Sequence, residues 1–211
     1  MALLLPILGG GLAPWPAGAQ ERPERPRLRD WLQQQLAGSR VALAVMLMAE
    51  CAGTVIWVCP GWQAERLFPD GLAGFVDPAR LIFARARRPE DILWTLEEVL
   101  RSGAAPLVVA EVTSPPALTP VRRMNLAAEA GMEAARLAGR PAPLGLMLVP
   151  GDGGAAGAES RWRRAPMPSG SALLEECGPV WRLERERARG AAPAVWRLSR
   201  GAQGAVLEAA G

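Results

Sequence analysis

One continuous helix-to-strand stretch, Asp91 to Val112 (DILWTLEEVLRSGAAPLVVAEV), constrains the fold of this chain more than any other. Ile92, Leu93, Leu96, Val99 and Leu100 recur at the three-and-four spacing of a helix with one buried stripe, which leaves Glu97, Glu98 and Arg101 on the side predicted to be wet. Ser102 and Gly103 predict the helix end, and Pro106 prevents its resumption. Leu107, Val108, Val109 and Ala110 then run without polar alternation, which suits a strand covered on both faces, as parallel strands are. The expected fold is α/β, a mostly parallel central sheet flanked by helices.

The other elements fall around this strand. Leu28 to Glu50 has a helical pattern interrupted at Gly38-Ser39, so the helix either kinks there or a second one starts with Ser39 as its N-cap. Thr54 to Cys59 reads as a buried strand closed by Pro60-Gly61, Trp62 to Phe68 as a short helix, and Leu81 to Ala84 as a strand. Pro89, Glu90 and Asp91 suit the first turn of the next helix. Thr119 and Pro120 open another, with Val121, Met124, Leu126 and Ala128 on its apolar side, and Leu144 to Val149 is the next strand. This alternation implies parallel strands joined by right-handed crossovers.

Beyond Pro150 come three Trp-Arg segments, Arg161-Trp162-Arg163, Trp181-Arg182-Leu183 and Trp196-Arg197-Leu198, which read as antiparallel strands added to one sheet edge. The chain therefore divides into a Gly/Pro-rich lead-in and linker (1–27), an α/β core (28–150), an Arg/Trp-rich β edge subdomain (151–200) and a frayed tail (201–211).

Missing residue types exclude much chemistry. The chain has no His, Lys or Tyr, and all 24 basic residues are Arg. His-based triads, Schiff-base and phosphate-loop lysines and His-containing metal sites are thereby excluded. Cys51, Cys59 and Cys177 have neither zinc-motif spacing nor an even count, which predicts buried thiols in a reducing cytoplasm and no disulfide framework. No apolar segment reaches the roughly 20 residues of a bilayer span. Ala17-Gly18-Ala19 resembles a leader cleavage site, but the first residues carry no Arg or Lys, and glycines and prolines break the apolar run, which weighs against secretion.

Two groups of residues are candidates for function. Gly38, Ser39 and Arg40 stand where a phosphate-binding helix start would lie, with Glu111 at the strand end where a nucleotide hydrolase holds a metal-coordinating carboxylate. The phosphate-loop lysine is missing, so this is a degenerate nucleotide site, whose alternative is an ordinary helix start and a capping carboxylate. The second group is basic. Between Arg161 and Arg200 nine arginines face four acids. Arg161, Trp162, Arg163, Arg164, Arg182, Arg185 and Arg187 are candidates for phosphate contact and base stacking, against the alternative of solvated, charge-blunted edge strands. Arg122 and Arg123 sit in a helix's first turns, against its dipole, which predicts that something outside the helix requires them.

With these residues in view, the chain resembles the ImuA family, inducible mutagenesis proteins of the RecA-like group. The matching stretches are Gly9-Gly10-Gly11-Leu12 with Gly18 and Glu21, Gly38-Ser39-Arg40 leading into VALAVMLMAE and GTVIWV, the run from Gly71 to Val112, LTPVRRMNLAAEAG with its Arg122-Arg123 pair, and RWRRAPMP and WRLERERARG. Gln20 stands where relatives often have His, and the first strand with its phosphate loop looks eroded. The resemblance implies a RecA-like core without catalysis or cofactor. It implies an adaptor in SOS-induced error-prone translesion synthesis, docking on RecA or a Y-family-like, ImuB-like polymerase subunit and contacting single-stranded DNA, in the cytoplasm and without membrane. The alternative it leaves is an ATP-dependent RecA-like enzyme with Arg40 in place of the lysine and Glu111 holding Mg²⁺.

Overall fold

The structure is a computed structural model and describes residues 2–5, 41–63, 67, 72–73, 75–150, 157–167, 180–201 and 204–209. Their strands are β1 (Ala2–Leu5), β2 (Val55–Pro60), β3 (Leu81–Ala86), β4 (Leu107–Glu111), β5 (Leu144–Val149), β6 (Ser160–Met167), β7 (Val180–Ala188), β8 (Ala194–Gly201) and β9 (Gly204–Ala209). The helices are α1 (Ala42–Glu50), α2 (Pro89–Ser102) and α3 (Leu118–Leu137). One nine-stranded sheet joins them in the order β3-β2-β4-β5-β1-β6-β7-β8-β9. The pairs β2–β3, β2–β4 and β4–β5 are parallel, and every pair from β5–β1 onward is antiparallel. This is the α/β architecture expected, with the parallel core between helices and the Trp-Arg segments as antiparallel strands.

Each face of the sheet has its own core. On one, Leu43, Ala44, Val45 and Met48 of α1 pack with Val55, Trp57, Leu107, Val109, Leu146, Leu148 and, further along, Trp162, Trp181, Leu183 and Leu198. On the other, α2 and α3 cover Val58, Val108, Ala110, Met147 and Val149. The β4 residues Val108 and Ala110 face α2 and α3 while Leu107 and Val109 face α1, which is why this strand is apolar throughout.

Helix α2 starts as its sequence predicts. Pro89 occupies the first turn, and Asp91 caps the helix start by accepting from the Arg88 backbone N–H at 3.2 Å and from the Arg88 guanidinium at 2.9 Å. Gly103 ends α2 in the left-handed region at φ 57°. A side chain there would strike the Gly131 carbonyl, and a Cβ on Gly131 would sit 1.8 Å from the Leu100 carbonyl oxygen, so the two helix backbones touch.

Several expectations are corrected. Glu97 is not on the wet side: it is 6% exposed and lies between α2 and α3. Leu126 is 65% exposed, and Ala127 takes the buried place on α3. The tail expected to fray contains β9, paired with β8 from Gly204↔Gly201 to Ala209↔Trp196. The lead-in contributes β1, seated between β5 and β6. The N-cap of α1 is Val41 rather than Ser39, and α3 begins at Leu118, before Thr119. Gly61 and Trp62 form a turn, while 64–66 and 68 of the short helix expected there, and 28–40 of the long one, lie outside the described residues.

Candidate functional site

Of the degenerate nucleotide site, Gly38, Ser39 and Arg40 lie outside the described residues. Glu111 ends β4, and its Oε1 accepts a hydrogen bond from the buried Trp57 Nε1 at 2.7 Å. The carboxylate therefore satisfies an indole N–H that would otherwise be stranded between strands. Among the described residues, no group of three or more Cys, Asp or Glu side chains gathers where it could hold a metal ion.

The arginine pair divides. Arg123 Nη2 meets Glu97 Oε2 at 2.8 Å, while Arg101 Nη2 meets Glu97 Oε1 at 2.5 Å, so one buried carboxylate carries two guanidinium groups. This is the requirement outside α3 that overrides the helix dipole at Arg123. Arg122, next to it, is exposed and makes no ion pair among the described residues.

Residue alternation sorts the Trp-Arg strands into two sides. Trp162 and Trp181 are 6% and 2% exposed, turned into the core on the α1 side. Trp162 and Trp196 stand with ring centroids 5.4 Å apart and planes tilted by 32°. The Arg185 guanidinium lies over both rings, 5.7 Å and 5.0 Å from their centroids, and donates through Nε and Nη2 to the Ala192 carbonyl at 3.0 Å and 2.8 Å. Arg164 lies 5.4 Å from the Trp181 ring centroid, and burial pushes its guanidinium down to about 10, which still leaves it charged at neutral pH. Trp162 and Arg164 are thus buried in the sheet's packing, half-buried Arg185 covers the two rings, and Trp162 is not placed to stack on a base.

The opposite side carries the other arginines. Arg161 faces Arg187 across β6 and β7, and Arg182 faces Arg197 across β7 and β8. Glu186, at the bulge in β7, accepts from Arg163 Nε at 2.6 Å, and Glu184 lies 3.5 Å from Arg182. Register carries this side across the sheet, since Ala2 pairs with both Val149 and Arg163, and Val149 packs under α2 and α3. The arginine side is therefore the α3 side. Helix α3 borders it: Asn125 Nδ2 donates to the Gly157 carbonyl at 2.9 Å, and Leu118 and Val121 are so close to Gly157 that a Cβ there would touch both.

Taken together, these features define an α/β sheet protein whose antiparallel half buries its tryptophans on one side and presents arginines on the other. The chain matches no family model. It is 38% identical over 160 residues to Protein ImuA of Caulobacter vibrioides, in the sequences of two strains, an alignment spanning 69% of this chain and 60% of the relative. The resemblance read from its ordered stretches holds, and the chain is a relative of ImuA that spans about 60% of the length of those curated proteins. The solved structure of SulA from Pseudomonas aeruginosa is alike over 43% of this chain and 76% of its own, at 17% identity and a TM-score of 0.36, which is too slight a likeness to carry an argument. No helix among the described residues is long and apolar enough to cross a membrane.

Proposed function

We infer that this protein acts in damage-induced mutagenesis as a non-catalytic, RecA-like adaptor for error-prone translesion synthesis in the SOS response. In this reading it works in the cytoplasm, docks on RecA or on an ImuB-like polymerase subunit, and contacts single-stranded DNA. The observation that carries the reading is the 38% identity to ImuA in a chain without a single lysine. Two placements agree with it. The Glu111 carboxylate is engaged by Trp57 across the parallel strands, and Arg122 is held outward on α3 while Arg123 is consumed by Glu97. A pull-down from DNA-damaged cells, with and without nuclease, tests it. Recovery of RecA or a translesion polymerase after nuclease supports protein docking, and recovery of neither overturns it.

The alternative is an ATP-dependent RecA-like enzyme, favoured by the position of Glu111 at the carboxyl end of a central parallel strand. Nucleotide turnover abolished by Glu111→Gln supports that alternative, and undetectable nucleotide binding removes it. Arg is a poor substitute for the compact ammonium of a phosphate-loop lysine, which favours the adaptor.

A further inference from the structure

We propose that two copies of this chain associate through the outer face of α3, as an antiparallel pair of α3 helices centred on Leu126. Helix α3 buries Val121, Met124, Ala127, Ala128, Gly131 and Ala135, and the helical period places Leu126 on the opposite side, where it is 65% exposed. Trp94 of α2 is 61% exposed. The two helices run parallel, because each joins parallel strands of one sheet, and their backbones meet where Gly131 approaches the Leu100 carbonyl. Five residues back along α3 and six back along α2 from that contact, Leu126 and Trp94 stand level with each other. Single exposed apolar side chains are ordinary, but a tryptophan and a leucine level on adjoining helices form a patch that calls for a cover.

The charges around Leu126 select a second copy as that cover. Arg122, one turn before Leu126, and Glu129, one turn after it, are exposed on the same flank of α3, and neither makes an ion pair among the described residues. Their neighbours are already engaged, Arg123 with Glu97 and Arg136 with Glu133. A second α3 reversed about a twofold axis at Leu126 sets each Arg122 against the partner's Glu129, so one face supplies both halves of two ion pairs. The two Leu126 side chains then meet on the axis, with the Trp94 rings approaching from the α2 flank. A parallel pair would set Arg122 against Arg122. Nucleic acid is disfavoured as the occupant, since α2 and α3 together carry six acids against four arginines. A contact made by one helix pair lies at the small, transient end of interface sizes, so each copy folds without it.

The test is analytical ultracentrifugation of the full chain from about 1 μM to about 1 mM, the span between firm and marginal association. A reversible monomer–dimer equilibrium is expected. Leu126→Glu, which brings two carboxylates together on the axis, should abolish it, and Trp94→Ala should weaken it about tenfold, as loss of an interface tryptophan does. Arg122→Glu and Glu129→Arg should each weaken it about tenfold, because each turns two ion pairs into like-charge pairs. Combined in one chain, the two changes restore opposite charges, and dimerisation should return to near the wild-type level. Leu137→Glu, three turns further along α3, should change nothing. A chain that stays monomeric throughout overturns the proposal, as does a dimer indifferent to Leu126→Glu or a charge swap that fails to restore association. If Leu126→Glu does not fold, the charge swap decides alone. The adaptor reading needs no second copy, so a monomer that still recovers RecA or a translesion polymerase overturns this proposal and leaves that reading standing.

Discussion

Glu97 and Arg123 meet across α2 and α3 with 2.8 Å between carboxylate oxygen and guanidinium nitrogen, and the carboxylate is almost fully buried while the guanidinium reaches solvent. This one pair separates two adjacent arginines into a structural residue and an outward one. Replacing Arg123 with Ala leaves Glu97 buried with Arg101 alone, and the expected loss is about 1–3 kcal/mol of stability. Arg122→Ala should stay within about 0.5 kcal/mol of the parent, as surface substitutions do. Denaturant unfolding of both variants checks this. If Arg122 is a docking residue, its Ala variant should instead lose partner recovery in the pull-down.

Trp57 and Glu111 allow a similar separation of structure from chemistry. Glu111→Gln keeps an oxygen to accept from the indole and should unfold close to wild type. Glu111→Leu strands a buried N–H and should lose about 1–3 kcal/mol. Equal stability of the two variants would show that the indole finds another acceptor.

The backbone contact between α2 and α3 predicts that Gly131→Ala is poorly tolerated. Its Cβ would sit 1.8 Å from the Leu100 carbonyl oxygen, with Leu100 backbone and Pro143 also close, so the helices must move apart. Overpacking of this kind costs about 1–3 kcal/mol, sometimes more. Thermal unfolding measures it, and Gly139→Ala, where nothing lies within 4 Å but φ is +63°, isolates the backbone-conformation part.

Acid should loosen the start of α2. The Arg88 side chain bonds to Asp91 and holds its carboxyl below the usual carboxylate range. A carboxyl depressed in the folded state contributes stability that is complete above its unfolded pKa and disappears as pH falls through the folded one. The difference in stability between wild type and Asp91→Asn should therefore be constant near neutral pH and vanish in acid. A difference that persists in acid would mean that the cap acts through its geometry rather than its charge.

Much of the fold was legible because it is local. The stripe of α2, the apolar run of β4 and the turn residues between them depend on neighbours a few positions apart. Glu97 was misread because its partner Arg123 is on another helix, and nothing in a three-and-four pattern reports a pairing across two helices. Leu126 was misread for a different reason: the helical period places it opposite the stripe of Val121, Met124, Ala127 and Ala128, so its apolar character was taken over its position. The alternation Arg161-Trp162-Arg163 did contain the signal that tryptophans and arginines part to opposite sides of the sheet. Which side faces the core depended on register through β1, which the sequence does not announce. The strand β9 was hidden because Ala205, Leu207 and Glu208 are as good helix formers as strand residues, and pairing with β8 decides their conformation.

The Trp162–Trp196 pair gives the molecule an optical signature of its own. Two indoles 5.4 Å apart at a fixed tilt share their excited states, so their ultraviolet transitions split and rotate polarised light as a coupled unit. Because one ring belongs to β6 and the other to β8, that coupled signal exists only while β7 holds them together. Circular dichroism in this band therefore reports, without any label, whether the meander is assembled, independently of the helices.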